Sequence, residues 1–151
     1  SRIRAVHYSM DCDDGLNTED YRRADLILVG VSRIGKTPVC LYLAMHFGLF
    51  CANYPLTVND LAGEQLPSLL QQHRARIFGL TIDPDRLHQI RQERRPGSRY
   101  AELQQCRDEV QRAESLFRQH AVPFVSTTGV SIEEIGTAIL QRAGVRRELL
   151  G

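Results

Sequence analysis

Between Gly30 and Thr37 the chain reads GVSRIGKT, in which two glycines bracket four residues and a lysine and a threonine follow at once. The spacing fits G-x-x-x-x-G-K-[ST], a pattern whose chemistry is phosphate binding. Gly30 and Gly35 let the backbone turn tightly and bring its N–H groups against phosphate oxygens, and a helix starting after them adds unpaired N–H groups and the positive end of its dipole. Lys36 is the only lysine among 19 basic side chains. Its compact ammonium can follow a phosphoryl group from ground state to transition state, whereas a planar guanidinium imposes a fixed fork. The Thr37 hydroxyl suits a bound Mg²⁺, and Arg33 can add a donor to a terminal phosphate. A glycine-rich turn with an exposed lysine is the plainer alternative, and the apolar run before the loop and the helical run after it weigh against that.

Carboxylates that could serve such a loop occur in two places. Asp83, in IFGLTIDPDRL, closes an apolar stretch, where it can hold Mg²⁺ through water or take a proton from an attacking hydroxyl. With Pro84 behind it, Asp83 is equally well explained as a helix N-cap. Asp13 and Asp14, in CDDG, offer a metal ligand or a general base, and an acidic turn before Gly15 accounts for them more simply. Arg86, Arg91, Arg94, Arg95 and Arg99 crowd a segment broken by Pro96 and Gly97. They could form a lid over phosphates, although a solvated helix face explains most of them as well. Ser126, Thr127 and Thr128 follow the last apolar run, and topology alone makes Thr127 or Thr128 a candidate to touch a nucleotide.

Positioning these groups requires a scaffold, and the alternation of short apolar runs with longer helical patterns predicts an α/β fold. We expect a three-layer arrangement of the P-loop kinase kind, a mostly parallel sheet with helices on both faces. Strands are expected at ADLILVG, around LFCANYPL, at ARIFGLTID and at VPFVST. The helix after the first strand should begin near Lys36, tolerate Pro38 in its first turn and stop at Gly48. Leu103, Cys106, Val110, Ala113 and Phe117 recur at helical spacing on one face of another helix, whose other face is charged. Ser131 and Glu134 form an S-x-x-E capping box before a last helix carrying Ile135 and Ile139 inward. Residues 1–24 look polar and turn-like, a lead-in that includes the DDG turn, and residues 25–151 form the expected nucleotide-binding domain.

The 151 residues suffice for one domain with a core, and 42% hydrophobic with 25% charged residues excludes disordered and fibrous classes. A formal charge of +1 gives no electrostatic case for nucleic acid or a membrane surface as partner. No apolar run approaches the roughly 18 residues of a membrane span, so the expected location is the cytoplasm. Cys12, Cys40, Cys51 and Cys106 show no C-x-x-C pair, which disfavours a zinc or disulfide framework.

The strings GVSRIGKTPVCLYLAMHFGLFCANYPLTVNDL, FGLTIDPDRLHQIRQERRPGSRYAELQQCRDEV and SIEEIGTAIL together resemble, in register over nearly the whole chain, the bacterial phosphoenolpyruvate synthase and pyruvate, phosphate dikinase regulatory proteins. The resemblance implies a bifunctional enzyme. One activity uses ADP to phosphorylate a threonine of the target enzyme, inactivating it and releasing AMP; the other removes that phosphate with inorganic phosphate, releasing pyrophosphate. It implies that Gly30, Val31, Ser32, Arg33, Ile34, Gly35, Lys36 and Thr37 bind the nucleotide, and Asp13 and Asp14 match the family too. The residue chemistry adds the expectation that Lys36 and Arg33 hold the β-phosphate, that Thr37 and Asp83 take Mg²⁺, and that one carboxylate, Asp83, Asp13 or Asp14, orients or deprotonates the threonine. ANYP, at 52–55, resembles the synthase-regulating branch more than the dikinase branch. The family also carries a further amino-terminal domain, so this chain is expected to be the carboxy-terminal catalytic half. Cys12 stands where the family usually has histidine. Pyruvate, phosphate dikinase as the target, an ATP-dependent small-molecule kinase, a nucleotide-sensing module without catalysis, and a homodimer remain open alternatives.

Overall fold

The computed structural model describes residues 1–143. Its centre is a four-stranded parallel sheet in the order β2-β1-β3-β4, built from β1 (Leu26–Gly30), β2 (Cys51–Pro55), β3 (Ile77–Thr81) and β4 (Phe124–Ser126). All five residues of β1 and of β3 are buried. These are the central strands, and their unbroken apolar character follows from having helices over both faces.

Helices α1 (Arg2–Asp11), α2 (Lys36–Phe47) and α7 (Ile132–Arg142) pack together, and α5 (Pro84–Arg94) and α6 (Leu103–Gln119) pack together, with the short α3 (Val58–Ala62) against α6. A further short helix, α4 (Ser68–Gln72), lies between α3 and β3. Crossovers between parallel strands are right-handed, and β1 to β2 runs across the sheet opposite to β2 to β3. The two helix groups therefore cover opposite faces, giving the expected three layers. Every described strand pair is parallel, so the sheet is wholly rather than mostly parallel.

Local signals act where the sequence placed them. Gly48 ends α2 in the left-handed region at φ 67°, where a side chain would be strained. Ser131 Oγ accepts the Glu134 N–H at 3.1 Å while the Glu134 carboxylate accepts from the Ser131 N–H, closing the capping box of α7. Two close approaches also demand glycine. A Cβ on Gly79 would meet the Phe117 ring at 2.7 Å, where α6 lies on β3, and one on Gly136 would meet the Tyr42 ring at 2.7 Å, where α7 lies on α2.

The amino-terminal segment departs from expectation. Residues 2–11 are helical, not turn-like, because Ala5, Tyr8, Ser9 and Cys12 recur at steps of three and four and are all buried against the rest of the fold. Polar composition hid this stripe. Turn-like character is confined to two 3₁₀ stretches, Asp13–Gly15 and Thr18–Arg23. The second is tied down by Arg76, whose Nη1 donates to the carbonyls of Tyr21, Arg22 and Ala24, and by the Tyr8 hydroxyl, which donates to Asp20 O at 2.8 Å. The expected domain beginning at residue 25 extends to 151, and residues 144–151 lie outside the described part.

Candidate functional site

In a parallel sheet the loops at the carboxyl ends of the strands face one edge, and the crevice lies where the strand order reverses, here between β1 and β3. The loop from Gly30 to Gly35 leaves β1 at that point. A Cβ on Gly30 would come within 2.7 Å of the Leu80 carbonyl oxygen on β3, so only glycine lets the loop depart so close to the neighbouring strand. Gly35, at φ 101°, makes the turn into α2. Arg33 also has a positive φ, 73°, an unusual conformation for a side-chain-bearing residue and a mark of a constrained loop.

Lys36 is buried, and its Nζ donates to the Val31 carbonyl at 2.8 Å, folding the ammonium back under its own loop. Burial lowers its pKa to about 8, partly opposed by the carboxylate of Asp14, with smaller opposition from Cys40 and Asp13. The Thr37 hydroxyl donates to Asp13 Oδ1 at 2.6 Å. Asn53, buried on β2, organises both acids. Its Nδ2 donates to Asp13 Oδ1 at 2.6 Å and its Oδ1 accepts the Asp14 N–H at 3.0 Å, while its own N–H donates to Cys12 O at 3.3 Å. The Asn53 carbonyl in turn accepts the buried Tyr21 hydroxyl at 3.1 Å. The DDG turn is thus fastened to β2, with Asp14 at φ 53° and Gly15 at φ 80° completing it. Asp14's carboxylate accepts no hydrogen bond among the described residues.

These groups line one cavity of about 580 Å³ with Asp13, Asp14, Ser32, Arg33, Lys36, Thr37 and Asn53 in its walls, together with Arg95 and Tyr100. A second cavity of about 470 Å³ lies on the other side of the same loop. Its wall is largely apolar, from Ile34, Val39, Ile82, Ile90, Val130 and Ile135, with Arg86, Thr127 and Thr128 at its polar side. Arg33 and Gly35 belong to both walls, so the loop separates a charged compartment from an apolar one.

Asp83 stands elsewhere. It is exposed at the end of β3, occupies the N-cap position of α5 with Pro84 after it, makes no side-chain cap bond, and is in neither wall. Its N–H donates to Thr128 Oγ1 at 2.8 Å, which sets the loop after β4 beside it. Of the arginine-rich segment, Arg95 and Arg86 reach the cavities, whereas Arg91 is wholly buried. Its Nη1 and Nη2 each donate to Glu109 at 3.0 Å, Nη2 donates to Ser32 O at 3.2 Å, Nη1 donates to Tyr100 O at 3.1 Å, and the guanidinium lies 4.0 Å from the Tyr100 ring centroid. Burial disfavours the charge, but the Glu109 carboxylate more than offsets it and holds the guanidinium's pKa up. The Ser32 and Tyr100 hydroxyls also hydrogen-bond.

Asn53, Glu109 and Tyr100 are thus the parts of the site that sequence reasoning did not single out, and Arg91, expected as one of five arginines of a lid, is instead a buried brace. Fold and site together define an α/β protein with a glycine-bounded strand–loop–helix at the switch point of a parallel sheet. The chain belongs to the kinase/pyrophosphorylase family, whose profile matches residues 1–140. It is 58% identical over 147 residues to a Laribacter hongkongensis protein provisionally named phosphoenolpyruvate synthase regulatory protein, covering 97% of this chain and 54% of the relative. Proteins of the same provisional name from Halorhodospira halophila and Ectopseudomonas mendocina are each 55% identical over 148 residues, again 98% of this chain and 54% of theirs. The chain spans about half the length of these curated relatives. The family expected from the sequence strings is the family found.

Among the described residues no helix is long and apolar enough to cross a membrane, and no group of three or more His, Cys, Asp or Glu side chains is arranged to hold a metal.

Proposed function

We propose that the chain is the nucleotide-binding part of a bifunctional regulator of phosphoenolpyruvate synthase, transferring the β-phosphoryl group of ADP to a threonine of that enzyme and removing it again with inorganic phosphate. The observation that carries this reading is the placement of Lys36, Thr37, Asp13 and Asp14 in one charged cavity beside an apolar one, either side of a single loop. The relatives' names supply the target, and the family's name supplies the pairing of a kinase with a pyrophosphorylase.

In this reading the nucleoside occupies the apolar cavity near Thr127 and Thr128, and the diphosphate crosses the loop into the charged one. Loop N–H groups, the Lys36 ammonium and the Arg33 guanidinium neutralise the β-phosphate as charge spreads over its oxygens. The threonine hydroxyl attacks the β-phosphorus, the bond from that phosphorus to the bridging oxygen breaks, AMP departs and a carboxylate takes the hydroxyl proton. Asp14 is suited to that role, since its carboxylate is uncommitted, whereas Asp13 is held by Thr37 and Asn53. In the opposite sense an oxygen of inorganic phosphate attacks the phosphothreonine phosphorus. The bond to the threonine oxygen breaks, that oxygen regains a proton, and pyrophosphate leaves.

Thr37 Oγ1 and Asp13 Oδ1, 2.6 Å apart, are hard oxygen donors of the kind Mg²⁺ takes, and one or two protein oxygens suffice when phosphate oxygens complete the shell. The ion would draw charge from the diphosphate there. These residues fit it better than Thr37 with Asp83.

Incubation of the chain with purified phosphoenolpyruvate synthase and ADP labelled in its β-phosphate should place label on a synthase threonine, and added phosphate should release it as pyrophosphate. Transfer at an undiminished rate by Lys36→Ala would refute the assignment. Labelling that follows the γ-phosphate of ATP onto a small metabolite would replace it with a small-molecule kinase.

A further inference from the structure

Arg91 lies 59 positions after Ser32 in the chain, yet its buried Nη2 holds the Ser32 carbonyl at 3.2 Å. Nothing in the proposed chemistry requires a guanidinium there. An arginine with no exposed surface is costly to bury, and it is tolerated here because Glu109 receives both its terminal nitrogens at 3.0 Å and Tyr100 both stacks on it and accepts from it through its carbonyl. Glu109 is held in turn by Gln105 Nε2 at 3.0 Å. The result is a rigid strut that runs from α6 through α5 to a carbonyl inside the glycine-bounded loop.

Within a trans peptide the carbonyl oxygen and the next N–H point in opposite directions. Drawing the Ser32 carbonyl onto the buried guanidinium therefore turns the Arg33 N–H outward, to the side where Ser32 and Arg33 form part of the charged cavity's wall. The same peptide leads into the left-handed Arg33, a conformation that a non-glycine residue keeps only when its surroundings hold it. The Ser32–Tyr100 hydroxyl pair is a second tie between Ser32 and the same brace. We infer that Arg91 is a positioning residue for the diphosphate end of the nucleotide: braced by Glu109 and Tyr100, it sets the Ser32–Arg33 peptide so that the loop presents an N–H, not a carbonyl, to the β-phosphate.

This inference rests on the nucleotide reading above, and a comparison of two ligands separates the two. AMP shares the nucleoside and lacks the β-phosphate. Calorimetric titration of the unsubstituted chain with Mg²⁺ should show tighter binding of ADP than of AMP; equal affinities, or no binding, overturn the nucleotide reading itself before any variant is made. In Arg91→Lys, which keeps the charge and loses the fork, ADP should bind about tenfold or more weakly while AMP stays within about twofold. A general loosening of structure would weaken both ligands alike. If a folded Arg91→Lys keeps the native ratio of ADP to AMP affinity, or loses both in proportion, the inference is wrong. Circular dichroism reports whether that variant folds; if it does not, Glu109→Gln, which keeps the shape and a neutral acceptor, decides by the same ratio, an unchanged ratio overturning the inference.

Discussion

Asp13 Oδ1 receives the Thr37 hydroxyl at 2.6 Å and the Asn53 amide at 2.6 Å, so one carboxylate oxygen joins the start of α2, the edge strand β2 and the turn after α1. A residue of the amino-terminal segment is thereby built into the wall of the cavity that the loop encloses. The acid is fixed by Asn53 before any ligand arrives, a preorganisation that costs nothing at the moment of binding.

That arrangement separates the roles of the acids. Asp13→Asn should raise the Mg²⁺ concentration needed for half-maximal ADP-dependent transfer by about 10- to 100-fold, the usual effect of disturbing a ligand or its support. Asp83→Asn should alter the same quantity by no more than about twofold, the size of an ordinary surface substitution. Metal titrations of initial rates for the two variants would check this, and a larger effect at Asp83 would reverse the assignment.

Lys36 should make nucleotide binding fall at alkaline pH. Its ammonium, with a pKa lowered to about 8 by burial, is the form that attracts the β-phosphate in the proposed mechanism. ADP affinity should therefore be flat below about pH 8 and decline by up to about tenfold per pH unit above it. Lys36→Arg should bind more weakly but without that decline, because a guanidinium keeps its charge throughout. The stability consequence has the opposite sense. Between about 8 and 10.5 the unfolded chain holds the lysine proton and the folded chain releases it, so this residue's contribution to stability rises with pH, by on the order of 3 kcal/mol when complete. The thiols of Cys12 and Cys106, raised by burial, push the other way above about 9.0, since the unfolded chain ionises them first. Denaturant unfolding of the chain against Lys36→Met, compared at pH 7 and pH 9.5, isolates the lysine's share.

Much of this site was legible because its signals are local. The glycine spacing, the stop at Gly48 and the Ser131–Glu134 box each act within a few residues. Arg91 was not legible in the same way. In HQIRQERR it looks like one more solvated charge, and only its position four residues after the buried Leu87 marks it as inward-facing. Glu109 adjoins Val110 on the buried side of α6, so the two halves of the ion pair each interrupt an apolar stripe. Two such interruptions on neighbouring helices are a pairing signal, but which arginine meets which glutamate depends on how α5 and α6 cross, and that is a tertiary fact. Asn53 was hidden for a related reason: an asparagine in a strand reads as an edge residue until the turn it binds has been placed beside it.

The glycine on β3 provides a test of packing. A methyl on Gly79 would meet three atoms of the Phe117 ring at 2.7 to 2.9 Å, and that ring is fully buried and cannot swing aside. Gly79→Ala should lower the unfolding free energy by about 1–3 kcal/mol, the range for overpacking a core. Phe117→Leu creates room but loses ring contacts, including the tilted pair with Phe124 at 5.4 Å. The double variant should therefore be more stable than the sum of the two single losses predicts, with a coupling of about 0.5 kcal/mol or more in a double-mutant cycle by urea denaturation. Strict additivity would mean that the helix α6 shifts to accept the methyl.

A single charged compartment also constrains how the two proposed reactions would share it. In the proposed mechanism the α-phosphate of departing AMP and the incoming inorganic phosphate are both partners of the transferred phosphoryl group, on the same side of it, and the cavity offers one set of cations, Arg33, Lys36 and Arg95, to receive either. In-line transfer forbids both at once, since each would occupy the apical position opposite the threonine oxygen. AMP should therefore inhibit phosphate-driven removal of label from the phosphorylated synthase competitively with respect to phosphate. The apparent KM for phosphate should climb linearly with AMP while kcat is unchanged, and Arg95→Ala should raise the KM for phosphate more than it lowers kcat, because an exposed guanidinium at the cavity wall contributes to binding rather than to the transition state. Initial rates at a grid of phosphate and AMP concentrations would show the pattern. A fall in kcat with no change in KM would require separate sites for AMP and phosphate, and the one-compartment mechanism would have to be abandoned.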